Sequence, residues 1–192
     1  MRKRSKNRRK KLLYFVVFFA IVLTGIVLLL DYVPKLLYPA RYTDMIGRYS
    51  REYELDPYLV LAMMKVESDF RPGAVSPKNA RGLMQISEKT GRWGAEKLHL
   101  DNYTNDSLFE PETNISIGCW YLSVLFEEFG ETDLVLAAYN GGSGNVAKWL
   151  GDSSLSSDGK SLDRIPFKET EQYLKKVKSN YKVYKKLYEN VF

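Results

Sequence analysis

The apolar residues divide the chain into a short N-terminal segment and a larger remainder. Residues 12–30 contain no charged side chain. A run of this length that is apolar on every face matches a helix crossing the hydrocarbon core of a bilayer, and buried core helices seldom show it. A cleaved signal peptide is the alternative, but its apolar region is usually shorter and small residues follow it at a cleavage site. The chain continues with Asp31-Tyr32-Val33-Pro34-Lys35 instead. We therefore expect residues 12–30 to form an uncleaved transmembrane helix and residues 31–40, with two prolines, to form a linker.

The pattern over residues 41–192 is helical, and it contains no convincing strand. Apolar positions recur at spacings of three and four, the period of a helix with one buried face. Helices are expected over residues 41–55, 57–67, a short stretch after Ser87, 111–129, about 133–139, 144–150 and 167–188. Residues 69–81 contain two prolines and a glycine and are expected to form a loop, and residues 151–161 are polar. The sequence therefore predicts one all-α domain.

Charge is concentrated in the first residues of the chain. Residues 1–11 carry eight basic side chains and no acidic ones, whereas the whole chain has a net charge of +6, so residues 31–192 are slightly acidic. Basic residues beside a transmembrane helix stay on the cytoplasmic side, which predicts a basic cytoplasmic tail and an extracytoplasmic domain over residues 41–192. The sequence pI of 9.2 reflects this tail and does not indicate nucleic-acid binding.

Two residue types bear on metal and disulfide chemistry. Cys119 is the single cysteine, so no disulfide within the chain is possible and no cysteine-rich metal site is expected. His99 is the single histidine and has no cluster of metal-ligating residues beside it. We expect no metal and no cofactor, and we expect Cys119 to be a packing residue of an apolar helix.

Glu67 is the acidic residue with the most informative position. It follows Val60 and Met64 by seven and three residues, which places the carboxyl on an apolar helical stripe that faces the interior. A carboxyl that is buried without a cation favours its neutral form, so its pKa should rise. A glutamic acid that stays protonated at neutral pH is what a general acid for glycoside cleavage requires. A solvated residue at a frayed helix end is the competing interpretation.

The chain resembles the lytic transglycosylases of the goose-type-lysozyme-like superfamily over about residues 40–190. Four blocks carry the resemblance, in this order: Glu67-Ser68; Ser76 leading into Gly82-Leu83-Met84-Gln85-Ile86; Ala138-Tyr139-Asn140-Gly141; and Ile165-Pro166-Phe167-Lys168-Glu169-Thr170 with Tyr173. Asn79 and Gly142 depart from the family's usual pattern, but asparagine tolerates positive φ, so the loop can still form. The resemblance implies a lysozyme-like helical fold that acts on peptidoglycan.

The resemblance also implies a role for individual residues. Glu67 matches the catalytic acid and base. Ser76 and Gln85 match polar residues that line the cleft, and Tyr139 matches a tyrosine that hydrogen-bonds near the carboxylate. Asn140 shapes the following turn, and Glu169 and Tyr173 match the far wall of the cleft.

The implied reaction cleaves the β-1,4 bond between N-acetylmuramic acid (MurNAc) and N-acetylglucosamine (GlcNAc) and leaves a 1,6-anhydro-MurNAc end. Glu67 would first protonate the bridging oxygen and then take the proton of the C6 hydroxyl. One alternative is a lysozyme-type muramidase on the same fold, in which Asp69 or another acid positions a water molecule. A second alternative is a glycan-binding module without catalysis.

Overall fold

The computed structural model describes residues 2–192, with the backbone alone described for residues 2–9, 11, 12 and 31. The chain divides into two compact units, one up to Pro39 and one from Ala40 to Phe192. In the described part, the only extended pairing consists of two isolated bridges, Val75 with Arg81 and Arg81 with Ile86. The predicted all-α class is confirmed.

The first unit is a single long helix, α1, Arg2–Leu37. Its stretch Leu13–Leu37 is long enough to cross a membrane, and an 18-residue segment within it has a mean hydropathy of 2.9. The expected linker over residues 31–40 stays a prediction, and its residues 31–37 are helical and continue α1. Pro34 lies inside it, and its carbonyl still accepts a hydrogen bond from the Tyr38 N–H at 2.8 Å. One proline removes a single N–H donor, and the hydrogen bond from Tyr38 continues the helical pattern beyond it.

The second unit contains seven α-helices and one 3-10 helix within the described residues. They are α2 Thr43–Glu52, α3 Pro57–Glu67, α4 Glu88–Lys97, the 3-10 helix η1 Asn105–Phe109, α5 Pro111–Phe129, α6 Thr132–Gly141, α7 Ser143–Leu150 and α8 Lys168–Leu187. These bounds agree with the predicted helices to within a few residues, whereas η1 was not predicted. Its five residues are too short to show a helical period, so the sequence pattern could not reveal it.

Helix α3 forms the centre of this unit. Asp56 caps its N-terminus by accepting a hydrogen bond from the Tyr58 N–H at 2.9 Å, and Pro57 occupies the first turn. Every residue from Leu59 to Met64 is buried, so the helix is enclosed on all sides. Helix α8 packs most extensively against it. The last residue of this enclosed helix is Glu67.

A buried asparagine fastens the loop before α4 to helix α5. The Asn114 amide donates to the Leu108 carbonyl at 2.7 Å and to the Arg81 carbonyl at 2.9 Å, and its Oδ1 accepts from the Met84 N–H at 2.7 Å. Gly82 has φ +76, and a Cβ there would lie 2.1 Å from the Asn114 amide nitrogen. Only glycine fits this contact, and residues 82–86 are therefore held firmly against the core.

Candidate active site

Helix α3 ends at Glu67, and a turn follows immediately. Ser68 is buried, and its hydroxyl donates to the Leu83 carbonyl at 2.8 Å, which joins the end of α3 to the loop that Asn114 holds. Asp69 and Phe70 then adopt positive φ values of 52 and 59. Two adjacent non-glycine residues in this region are strained, and the surrounding contacts must hold them in place. Phe70 supplies such a contact because it is fully buried against Tyr184 of α8.

Burial raises the pKa of the Glu67 carboxyl from 4.5 to about 7. A hydrogen-bonding interaction with Tyr173 lowers this pKa in part, and the negative charge of Glu169 raises it further. The expected rise is therefore confirmed, and desolvation is its main cause. At neutral pH the carboxyl is protonated in a large fraction of molecules, so it can act as an acid and, once ionised, as a base.

Two tyrosines from different helices lie around this carboxyl. Burial, and then the charge of Glu67, raises the pKa of Tyr139 in α6 and of Tyr173 in α8 well above 10. The Tyr139 hydroxyl donates to the Met84 carbonyl at 2.9 Å. The Tyr173 hydroxyl is buried and reaches no partner with ordinary hydrogen-bond geometry in the described part of the chain. Both hydroxyls remain protonated near neutral pH. The Tyr139 hydroxyl is used by the Met84 carbonyl, whereas the Tyr173 hydroxyl is a donor toward the Glu67 carboxylate.

Ser76 and Gln85 lie in the loop between α3 and α4, and their side chains bind that loop. The Ser76 hydroxyl accepts from the Ala80 N–H at 3.0 Å, across a turn in which Asn79 has φ +61. The Gln85 amide nitrogen donates to the carbonyls of Gly82 and Ala74 at 2.9 and 3.2 Å. The expectation that Asn79 can adopt positive φ in place of glycine is confirmed. Both polar side chains therefore hold the shape of this loop.

Asn140 connects α6 to α8. Its Oδ1 accepts a hydrogen bond from the buried Thr170 hydroxyl at 2.8 Å. The positive φ of the turn falls on Gly142, at +91, and not on Asn140, which is the penultimate residue of α6. The expectation that Asn140 shapes the turn stays a prediction, while its backbone remains helical. Its side chain links α6, which carries Tyr139, to α8, which carries Tyr173.

Glu169 lies in the first turn of α8, and it is exposed. Its carboxylate pairs with the Lys78 ammonium at 3.4 Å, which joins α8 to the tip of the loop that holds Ser76. Lys78 was not predicted, because helical periodicity does not distinguish a lysine that pairs with a distant carboxylate from a solvated one. Tyr121 of α5 was not predicted either, and its ring centroid lies 5.6 Å from that of Tyr139.

Asp69 does not take part in this cluster. Its carboxylate is exposed and pairs with the Lys65 ammonium at 2.5 Å. Within the described residues, Glu169 is the one carboxylate whose charge raises the pKa of Glu67. A two-carboxylate hydrolase needs a second acid that positions water or acts as nucleophile at the cleaved bond. This geometry gives Asp69 no such position.

Residues that could hold a metal are not grouped in this part of the chain. Among the described residues, no group of three or more His, Cys, Asp and Glu side chains could hold an ion. Cys119 is fully buried in α5, so its prediction as a packing residue is confirmed. His99 is exposed after the end of α4.

Comparison with known proteins identifies relatives of the second unit. Residues 44–161 match the family described as Transglycosylase SLT domain. The soluble lytic murein transglycosylase of Salmonella typhimurium is 37% identical over 143 residues, covering 73% of this chain and 22% of that protein. The membrane-bound lytic murein transglycosylase C of Edwardsiella ictaluri is 32% identical over 176 residues, covering 77% of this chain and 47% of that protein.

Solved structures agree with these sequence matches. An inactive glutamate-to-glutamine mutant of the lytic transglycosylase Slt from Pseudomonas aeruginosa superposes with a TM-score of 0.69 at 30% identity, over 78% of this chain and 24% of that one. The 70 kDa soluble lytic transglycosylase of Escherichia coli gives a TM-score of 0.68 at 33% identity, over 78% and 25%. The chain therefore spans about a quarter of these proteins and up to half of the curated relatives named above.

Proposed function

The chain belongs to the SLT transglycosylase family, and on that basis we propose that it cleaves the MurNAc-GlcNAc β-1,4 bond of peptidoglycan and leaves 1,6-anhydro-MurNAc ends. The observation that carries this proposal is the carboxyl of Glu67, whose pKa of about 7 reflects burial at the end of α3. The hydroxyls of Tyr139 and Tyr173 lie near it. Within the described residues, the exposed Glu169 is the one carboxylate whose charge raises its pKa.

The proposed reaction uses Glu67 twice. The protonated carboxyl donates its proton to the bridging oxygen as the bond to the muramoyl C1 breaks, and the acetamido oxygen of the same sugar stabilises the positive charge at C1. The Glu67 carboxylate then accepts the proton of the muramoyl C6 hydroxyl, whose oxygen bonds to C1. Water is not a reactant. The attacking hydroxyl belongs to the substrate, so its effective concentration is high once the sugar is held in a reactive conformation.

We assign the other cleft residues roles that follow from their contacts. Tyr173 donates a hydrogen bond toward Glu67 as it ionises, which stabilises the carboxylate between the two steps, while Tyr139 donates to the Met84 carbonyl beside it. Glu169 accepts hydrogen bonds from saccharide hydroxyls on the far wall. Ser76 and Gln85 shape the near wall and present polar atoms to the N-acetyl groups, while Asn140 positions the helices.

The named relatives support this assignment. The structure from Pseudomonas aeruginosa is an inactive mutant in which glutamate is replaced by glutamine, the change expected to abolish acid catalysis. The Escherichia coli enzyme has been obtained in complex with bulgecin A. We propose that bulgecin A also binds the cleft of this chain, so that it competes with the glycan.

Membrane attachment is the second part of the proposal. Helix α1 is apolar over a membrane-spanning length, and relatives named membrane-bound share the second unit. We propose that residues 12–30 form a single-pass anchor with the basic tail of residues 1–11 in the cytoplasm and residues 41–192 outside. Cysteine-accessibility labelling would test the orientation. A Ser5→Cys change should react only after the membrane is made permeable, and a Ser157→Cys change should react in intact cells.

The test of the activity is product analysis by mass spectrometry. The full chain in detergent micelles is incubated with purified sacculi, and the soluble fragments are weighed. Anhydro ends, one water lighter than hydrolysed ends, support the proposal. The Glu67→Gln variant should release nothing while it keeps its melting temperature, and a Glu127→Gln control in an exposed part of α5 should behave as the wild type. Hydrolysed ends would instead show a muramidase. Glycan binding without release by the wild type would show a non-catalytic module.

A further inference from the structure

Aromatic rings continue from Tyr139 along the protein surface. The Tyr121 ring centroid lies 5.6 Å from that of Tyr139, and the Trp93 centroid lies 6.3 Å from that of Tyr121. Trp120 completes the group, with its centroid 4.7 Å from that of Trp93. We call Trp93, Trp120 and Tyr121 the aromatic row. It begins at the tyrosine whose pKa the charge of Glu67 raises, and it leads away from that carboxyl.

The aromatic row is accessible from solvent. The Trp93 side chain is 40% exposed, and Trp120 and Tyr121 are half-buried. A single exposed aromatic residue on a surface needs no explanation, but three rings linked through Trp93 and continuing through Tyr121 to Tyr139 form a connected apolar surface. Such a surface costs free energy in water unless a ligand covers it.

The row is also held in place. Its rings come from α4 and α5, and Gly94 lets these helices approach closely. A Cβ on Gly94 would lie 2.7 Å from Ile117 and 3.2 Å from the Trp120 ring. The Trp93 and Trp120 rings meet edge to face with an interplanar angle of 79°, which is an energetically favourable arrangement of an aromatic pair. A ligand that binds such fixed rings does not need to order them first, so more of the contact energy appears as affinity.

We propose that the aromatic row is a distal glycan subsite, on which sugar rings of the strand stack beyond the bond that Glu67 cleaves. This inference rests on the proposed function. The hydrogen atoms on one face of a pyranose form an apolar surface that fits a flat aromatic ring, and its hydroxyls remain in water at the ring edge. Trp93 and Tyr121 offer such faces, and the Tyr121 hydroxyl and the indole N–H groups add hydrogen bonds. The glycan strand is the occupant because ring contacts run without a break from Trp93 to Tyr139, which lies beside Glu67.

The subsite predicts a dependence on glycan length. Short oligosaccharides fill the positions near Glu67 and do not reach Trp93. Longer ones reach the row, and binding energy from these remote sugars serves to hold the reacting sugar in place. Removing the Trp93 ring should therefore weaken long ligands and leave short ones unchanged. It should also lower kcat/KM on intact sacculi, while Glu67 and its pH profile remain as before.

The experiment measures affinity by isothermal titration calorimetry with GlcNAc oligomers of two to six units. The full chain in detergent carries Glu67→Gln so that no ligand is cleaved. Adding Trp93→Ala should weaken the longest oligomer by about threefold to tenfold and the dimer by less than the error. Trp93→Tyr should restore most of the affinity because it keeps a ring. Phe192→Ala is the matched control, since that ring is 37% exposed and packs against Tyr58 instead.

Each outcome decides the matter. A loss that grows with oligomer length supports the subsite. Unchanged affinity at every length overturns it, and so does an equal loss at all lengths, which would make Trp93 a support of the fold or show that the row binds another partner. Failure of the proposed function is separate. It would appear as a lack of anhydro products from the otherwise unmodified chain, whatever Trp93→Ala does to binding.

Discussion

The hydrogen bonds of Asn114 allow a prediction that connects the fold to the candidate site. Asn114→Ala removes three hydrogen bonds of α5, two to the loop that carries Met84 and Gln85 and one to Leu108 of η1. The Arg81 carbonyl keeps a second partner, the Ile86 N–H at 3.0 Å. The Met84 N–H and the Leu108 carbonyl are left without the partner that Asn114 provided, in a region closed to solvent.

The magnitude follows from these two groups. A buried donor or acceptor that loses its partner costs about 1–3 kcal/mol, so Asn114→Ala should lower the free energy of unfolding by about 3 kcal/mol or somewhat more. Asn114→Asp should cost more at neutral pH. It keeps an acceptor for the Met84 N–H, but it turns a carboxylate toward the two carbonyls that the amide had served.

The assay is urea unfolding of the full chain in detergent, followed by tryptophan fluorescence because Trp93 and Trp120 lie on α4 and α5. Loss of the loop anchor should also lower activity in the remaining folded protein, since Tyr139 donates to the carbonyl of Met84. A cost below about 1 kcal/mol for Asn114→Ala would refute the reasoning. An Asn114→Asp variant as stable as Asn114→Ala would refute it as well.

Three further predictions test other parts of the molecule. Because the pKa of Glu67 rises from 4.5 to about 7 on folding, its stabilising contribution is fully present below pH 4.5 and is lost as pH rises through 7. Relative to the wild type, Glu67→Gln should gain about 3 kcal/mol between pH 4.5 and pH 8 in urea unfolding; a pH-independent difference would contradict this. Lys78→Gln leaves the charge of Glu169 uncompensated, so the pKa of Glu67 should rise and the alkaline limb of kcat/KM should move upward by a few tenths of a pH unit, with the shift vanishing at high salt. No shift at low salt would exclude the coupling. Asn79→Ala should cost about 1 kcal/mol because an alanine at φ +61 is strained, whereas Asn79→Gly should cost nothing; equal melting temperatures would show that the turn adapts.

The sequence predicted most of the helical framework because its signals are local. Asp56-Pro57 began α3, Ser87 capped α4 and accepts from the Thr90 N–H at 3.1 Å, and α5 begins at Pro111 as predicted. Helix α1 runs beyond residue 30, where the predicted transmembrane helix ends, because Pro34 does not end the helix. The raised pKa of Glu67 was also predictable, since the spacing to Val60 and Met64 already placed the carboxyl among apolar side chains.

The rest of the site depends on contacts between residues far apart in the chain. Lys78 and Glu169 are separated by 91 positions, and Asn140 and Thr170 by 30. Pairs so far apart leave no periodic pattern in the sequence, so they could not be predicted from it. A role for Trp93 could likewise not be predicted from its position in a short helix. The proposed role depends on its contact with Tyr121 and, through that ring, with Tyr139.

The proposed reaction depends most directly on the protonation state of Glu67. The full chain labelled with ¹³C at glutamate side-chain carboxyls can be titrated by NMR in detergent micelles, and the resonance absent from Glu67→Gln identifies the residue. A midpoint near pH 7 is the predicted result, because a buried carboxyl that stays protonated at neutral pH is what acid catalysis requires here. A midpoint near 4.5, the value of a glutamate in water, would contradict the account.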